Sequence, residues 1–247
     1  MRLALFADIH GNREAFDACL DHAARQGVDG YAFLGDMVGY GADPQYVVDR
    51  VAELSTDGSV ILKGNHDEAA SLGLSAGMNE YARAAIEWTN RTLDDASRRM
   101  LAQLPMQREE TGFLFVHSDA SSPMDWRYVN DAGSAETSLR ATSQRVTFCG
   151  HVHIPQLYHM SPGKNAQFYQ PQANIAVPLV GNRQWLAVLG SVGQPRDKNP
   201  AAAYALLDTD RRELTYYRVA YDMQQTAAKI HAAGLPQILA ARLFVGR

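Results

Sequence analysis

Ser59-Val60-Ile61-Leu62-Lys63-Gly64-Asn65-His66-Asp67 decides how the rest of the chain is read. Val60-Ile61-Leu62 has the length and β-branched character of a buried strand. It ends in a glycine, an amide, an imidazole and a carboxylate. Such a tetrad is a poor way to build a core, because every buried polar group needs a partner. It sets donor-rich groups where the backbone leaves a sheet, and open α/β sheets bind their ligands there.

The same event recurs along the chain. Residues 2–7 are an apolar run ending in Asp8-Ile9-His10-Gly11-Asn12, and Tyr31-Ala32-Phe33-Leu34 ends in Gly35-Asp36. Phe113–Val116 runs into His117-Ser118, and Val146–Cys149 into Gly150-His151-Val152-His153. Between the first three runs lie helical patterns. One spans Arg13–Gln26, with Asn12 as N-cap and Gly27 as stop, and another spans Pro44–Leu54. Strand–helix alternation of this kind predicts a mainly parallel sheet. Residues 78–104 read as two helices closed by Pro105, a packed excursion or a partial lid. Ala135–Thr142 reads as a short helix. From Gln156 the texture turns to short strands, near 157–160, 167–170, 174–180, 185–190, 203–208 and 213–219. A helix near Gln224–Ala233 and a tail helix close the chain.

The 247 residues are 46% hydrophobic and 20% charged, enough for one domain over 1–247 with a helical excursion at 78–104. A net charge of −4 argues against a partner such as a nucleic-acid duplex, which selects a basic face. No apolar run is long enough to span a membrane. Cys19 and Cys149 are two lone thiols in unlike settings, which fits a reducing, cytoplasmic location.

Two carboxylates, an amide oxygen and several imidazoles, each after a predicted strand, form a donor set for divalent ions of the Mn, Fe, Co, Ni or Zn group. Calcium prefers all-oxygen sites, and structural zinc usually uses cysteines. His-x-His is the more specific of the small motifs, since alternate residues of an extended segment share a side. No single cluster is decisive; their conjunction in this order is.

Asp8-Ile9-His10, Gly35-Asp36, Gly64-Asn65-His66-Asp67, His117 and Gly150-His151-Val152-His153 together resemble the calcineurin-like metallophosphoesterase superfamily over nearly the whole chain. Gly35–Gly41 and Gly190–Asp197 resemble its small bacterial and archaeal phosphodiesterase-like branch. The resemblance implies a four-layer α/β/β/α sandwich of two mixed sheets and a dinuclear centre bridged by Asp36. It implies that Asp8, His10 and His153 join Asp36 on one metal, and Asn65, His117 and His151 on the other. A metal-bridging hydroxide would attack phosphorus, with His66 as general acid or hydrogen-bond donor to the leaving group.

The chain departs from the protein serine/threonine phosphatases of the superfamily, which carry Gly-Asp-x-x-Asp-Arg-Gly. Here Gly39-Tyr40 replaces the Asp-Arg pair, which disfavours a phosphoprotein substrate. Arg196 is the candidate replacement clamp on phosphate. Tyr40 and Asn12 are candidate pocket residues, and Asp67 either orients His66 or caps the next segment. Trp126 and Tyr128 are candidates to stack on a nucleobase, whereas Trp88 in a helical apolar stripe reads as core. The expected function is metal-dependent hydrolysis of a small phosphorylated substrate: a phosphodiester, a nucleotide or a dinucleoside polyphosphate. A non-catalytic scaffold of this fold, a phosphoprotein phosphatase and a nuclease are the alternatives.

Overall fold

The computed structural model describes residues 1–55, 58–73 and 77–247. The first half alternates β1 (Arg2–Phe6), α1 (Arg13–Arg25), β2 (Gly30–Phe33), α2 (Pro44–Leu54), β3 (Val60–Ile61) and α3 (Asn65–Leu72). Then come α4 (Glu80–Thr92), α5 (Asp95–Gln103), β4 (Gln107–Glu110), β5 (Phe113–Val116), α6 (Ala132–Arg140) and β6 (Val146–Cys149). The β-rich half contains β7 (Gln156–Met160), β8 (Gln167–Tyr169), β9 (Ala176–Pro178), β10 (Gln184–Val188), β11 (Ala202–Asp208) and β12 (Glu213–Val219), followed by α7 (Met223–Ala232) and α8 (Gln237–Val245).

The strands form two sheets, ordered β3-β2-β1-β11-β12-β9 and β4-β5-β6-β10-β7-β8. Both are mixed: β1 pairs with β2 in parallel and with β11 antiparallel, and β10 pairs with β6 in parallel and with β7 antiparallel. Period-two alternation distributes β1 between two cores. Leu5 and Ala7 face the second sheet with Leu34, Leu62, Phe115 and Phe148. Ala4 and Phe6 face outward onto Phe16, Val47 and Val51 of α1 and α2. On the far side, Val116, Cys149 and Leu186 pack against Ala135 and Leu139 of α6. The layers are therefore α/β/β/α. Each fully buried leucine in them contributes about 1.5–3 kcal/mol.

Three local expectations shift. Gly64 is the N-cap of α3, a helix the sequence reading missed, so the tetrad ends a strand and begins a helix at once. α6 starts three residues before the expected Ala135, because the Asp131 side chain accepts from Ser134 N at 2.8 Å and fixes the first turn there. β4 carries Gln-Arg-Glu-Glu with every residue exposed, so it had no apolar pattern to betray it; it is an edge strand. The excursion at 78–104 consists of α4 and α5. Ile86, Leu93 and Leu101 bury into the helical layer beside Val47, Val51 and Ala70, so the excursion extends that layer. Trp88 packs against the cluster of α7 and α8. No helix among the described residues is long and apolar enough to cross a membrane.

Candidate metal centre

The strand-end loops of both sheets meet at one place. Beyond β1 the chain keeps pairing with the loop after β2: Asp8 N donates to Gly35 O at 3.0 Å, His10 N to Asp36 O at 2.9 Å and Gly11 N to Met37 O at 2.8 Å. Gly150 N donates to His117 O at 2.9 Å, which ties the second sheet's loops together. Asp8, His10, Asp36, His151 and His153 have left-handed φ angles of 55°, 51°, 53°, 66° and 64°. That conformation costs a non-glycine residue of order 1–3 kcal/mol and persists only where the surroundings over-determine it. Here the strain turns side chains inward where a regular strand would alternate them.

Four histidines each hold a backbone carbonyl with one ring nitrogen. His10 Nδ1 meets Val38 O at 3.0 Å, His117 Nδ1 meets Leu34 O at 2.6 Å and His153 Nδ1 meets Gln194 O at 2.7 Å. His151 uses Nε2, on Trp126 O at 2.9 Å. A carbonyl only accepts, so each of these nitrogens carries the proton. In the neutral ring the other nitrogen then presents a lone pair to the centre, the arrangement that metal-ligating histidines use. His10 Nε2 and His153 Nε2 face each other at 3.2 Å. His153 Nε2 lies 3.3 Å from Asp8 Oδ1, and His117 Nε2 lies 3.5 Å from Asp36 Oδ2. Acceptors crowded this closely repel unless a cation lies among them.

The donors fall into two groups whose atoms lie within 4.8 Å of one another: Asp8, His10, Asp36 and His153, and Asp36, His117 and His151. Asp36 belongs to both. Its Oδ2 faces His10 and His117, while its Oδ1 accepts His66 N at 2.8 Å at the start of α3. Asn65 lies between Gly64 and His66, both of which touch Asp36, and its Oδ1 is buried without a partner. An orphaned amide oxygen beside such a cluster fits a cation ligand. Gly64 has to be glycine: a Cβ there would lie 2.1 Å from Asp36 Oδ1.

Burial and the buried carboxylates set the charge of each group. Burial favours the neutral forms of His10, His66 and His151, holding His66 down to about 4 and His151 to about 3. Burial opposes a charged His117, but Asp36, Asp8 and the Leu34 carbonyl together outweigh it and raise His117 to about 9, so the proton on its Nε2 is the one a bound cation would displace. Burial would raise Asp36, yet its neighbours, the charged His117 foremost, hold it well below the usual carboxylate range.

His66 stands beside the cluster, its ring 4.8 Å from His10 and 4.5 Å from Tyr40. Its Nδ1 is buried without a partner and turned to Gly39, where a Cβ would lie 2.4 Å away. Among the described residues Asp67 makes no hydrogen bond to the imidazole. It accepts Met37 N at 2.9 Å, Val38 N at 3.2 Å and Gly64 N at 3.0 Å, so it caps α3 and pins the Asp36 loop. Arg196 is drawn to the centre by its N–H on His153 O at 3.1 Å, and its guanidinium reaches Gln194 Oε1 at 3.0 Å and Tyr40 OH at 3.4 Å. Asn12 lines a small cavity with His10 and Tyr40, and its polar atoms are bonded within the fold. Its Oδ1 accepts from Ala15 N at 3.1 Å and Thr226 Oγ1 at 3.1 Å, and its Nδ2 donates to Gly193 O at 2.9 Å. The sequence reading missed what stands behind Tyr40, namely Ile230, Leu239 and Leu243 of the two C-terminal helices. Their helical spacing gave no sign of where they dock.

Two mixed sheets in this order, with buried carboxylates and imidazoles converging at their strand ends, are the framework of a metal-dependent phosphoesterase. Comparison with known proteins agrees: the profile of the calcineurin-like phosphoesterase superfamily domain matches residues 1–212, and the chain belongs to that superfamily. It is 32% identical to an uncharacterised protein of Methanocaldococcus jannaschii, over 99% of this chain and 98% of that one. A metallophosphoesterase from Sphaerobacter thermophilus superposes with a TM-score of 0.88 at 32% identity, over 100% of this chain and 99% of that one. A hypothetical protein from Pyrococcus horikoshii shares the fold, with a TM-score of 0.80 at 19% identity over 100% and 98% of the two chains.

Proposed function

We propose that this chain hydrolyses phosphoester bonds of small substrates, whether phosphodiester, nucleotide or dinucleoside polyphosphate, at a centre of two divalent cations. One observation carries the reading: two groups of buried acceptor atoms share the carboxylate of Asp36. Asp8, His10, Asp36 and His153 would hold one cation, and Asp36, Asn65, His117 and His151 the other. Manganese, iron, cobalt, nickel and zinc all suit these donors. When bound, two such cations supply Lewis-acid charge that lowers the pKa of water and offsets charge on phosphoryl oxygens.

The chain's own groups do the rest. The unpartnered, buried Nδ1 of His66 favours the tautomer protonated at Nε2. That N–H is available to the leaving oxygen, and one such group typically gives 10²–10⁴-fold. Arg196 offers its guanidinium to a phosphoryl oxygen from beside His66, and Tyr40 packs between them. A scaffold without catalysis has no need of all seven ligand positions and His66 held in this order. A net charge of −4 argues against a nuclease on duplexes. The two buried free thiols fit a cytoplasmic setting.

The test is a panel. Metal-free protein is reconstituted with Mn, Ni, Zn, Fe or Mg and assayed on a monoester, a diester and a dinucleoside polyphosphate. Turnover with at least one transition metal, absent without metal, is expected. Inactivity on every substrate with a full metal complement would refute the reading.

A further inference from the structure

The segment from His117 to Asp131 folds back over the second group of ligands. Trp126, in a left-handed conformation, sets its ring edge-on to His117 at 5.8 Å and gives its carbonyl to His151. Tyr128 lies flat on His151, with ring centroids 4.1 Å apart and planes at 18°. Only one face of Tyr128 is used. The residue is 49% exposed and meets no other ring among the described residues. Met124 on the same segment is 75% exposed. An apolar, aromatic surface therefore stands open immediately beside buried ligands.

His66, Tyr40 and Arg196 gather around His10 and His153 of the first group. A phosphodiester whose leaving oxygen points to His66 projects its second ester substituent elsewhere. The side of His117 and His151 offers an exposed aromatic surface for it. Resting on the phosphoester reading above, we propose that Tyr128, flanked by Trp126, is a stacking shelf for a nucleobase on the retained substituent, so that the substrate is a nucleoside-bearing phosphodiester. Stacking suits this position because the shelf offers an aromatic face and a base presents a π-face of its own.

Two esters with one leaving group test this: thymidine 5′-(p-nitrophenyl) phosphate and methyl p-nitrophenyl phosphate. In each, a P–O bond forms to water and the P–O bond to nitrophenolate breaks. The products are thymidine monophosphate or methyl phosphate, nitrophenolate, and the proton released from water. Full-length protein loaded with Mn²⁺ is compared with Tyr128→Leu and Tyr128→Phe. The wild type is expected to prefer the thymidine ester. Tyr128→Leu should lower the ratio of the two kcat/KM values roughly tenfold, and Tyr128→Phe should keep it. Calorimetric titration of thymidine monophosphate should show the same order of affinities. If Tyr128 merely covers His151, Tyr128→Leu slows both esters alike; a ratio within twofold of wild type overturns the proposal. If the wild type hydrolyses neither ester, diester hydrolysis with Mn²⁺ is excluded and the titration alone judges the shelf. Weaker binding by Tyr128→Leu but not by Tyr128→Phe supports it, and equal binding overturns it.

Discussion

Gly39→Ala isolates His66 without touching a metal ligand. Gly39 has φ +85°, and an added Cβ would lie 2.4 Å from His66 Nδ1 and 3.1 Å from its Cγ. The ring has little room to yield, because His10 and Tyr40 flank it at 4.8 and 4.5 Å. Two effects follow. The left-handed backbone costs an alanine about 1–2 kcal/mol, which lowers Tm by roughly 2–8 °C for a chain of this size. The displaced imidazole loses its aim at the leaving group, which should lower kcat about 10²–10⁴-fold. Asp36 and the carbonyls that hold His117, His151 and His153 are untouched, while Val38 O, which holds His10, directly precedes Gly39, so metal content by elemental analysis must equal that of wild type for the loss to be read through His66 alone. The assay is hydrolysis of a chromogenic phosphodiester by the reconstituted protein. The double variant Gly39→Ala/His66→Ala should be no slower than His66→Ala alone, since both changes act through one group. A kcat within threefold of wild type for Gly39→Ala or for His66→Ala would refute the role given to His66. A double variant far slower than His66→Ala would show that Gly39 acts through something else.

Asp36→Ala removes the donor common to both groups and should abolish metal retention after gel filtration; two equivalents remaining by elemental analysis would contradict the shared role. Asp67→Ala leaves Met37 N, Val38 N and Gly64 N without their acceptor. At about 1–3 kcal/mol per unpaired buried donor it should destabilise by several kcal/mol in thermal melts, whereas a role confined to His66 would leave Tm unchanged. Arg196→Ala should raise KM for a diester more than it lowers metal affinity, and an unchanged KM would remove it from the substrate. Leu239→Ala opens a cavity at a fully buried site in the cluster that backs Tyr40. A loss of about 2–5 kcal/mol in chemical denaturation is expected.

Much of the centre was legible because buried strands announce their ends. A strand covered on both faces is continuously apolar, as in Phe113–Val116, so the first imidazole or carboxylate after it marks the exit from the sheet. β4 had no such contrast. α3 was hidden because its first residues, Asn65, His66 and Asp67, were read for chemistry before they were read as a helix start. Asn12 is the N-cap the sequence predicts, and only the fold adds that its amide also engages Gly193 and Thr226, residues 181 and 214 positions away.

The sequence by itself determined the donor types, their order and the strand ends that carry them, because local apolar runs and turn residues encode those directly. The tertiary structure alone decided which ring nitrogen of each histidine faces inward. It also decided that Asp67 serves the Asp36 loop, that the C-terminal helices back Tyr40, and that Tyr128 lies on His151 with one face open. These depend on carbonyls and rings brought together by sheet order and register. β11 pairs with β1 across two hundred residues, and β10 lies between β6 and β7. Local periodicity sets which face of a strand is buried; it does not say which distant strand will lie beside it.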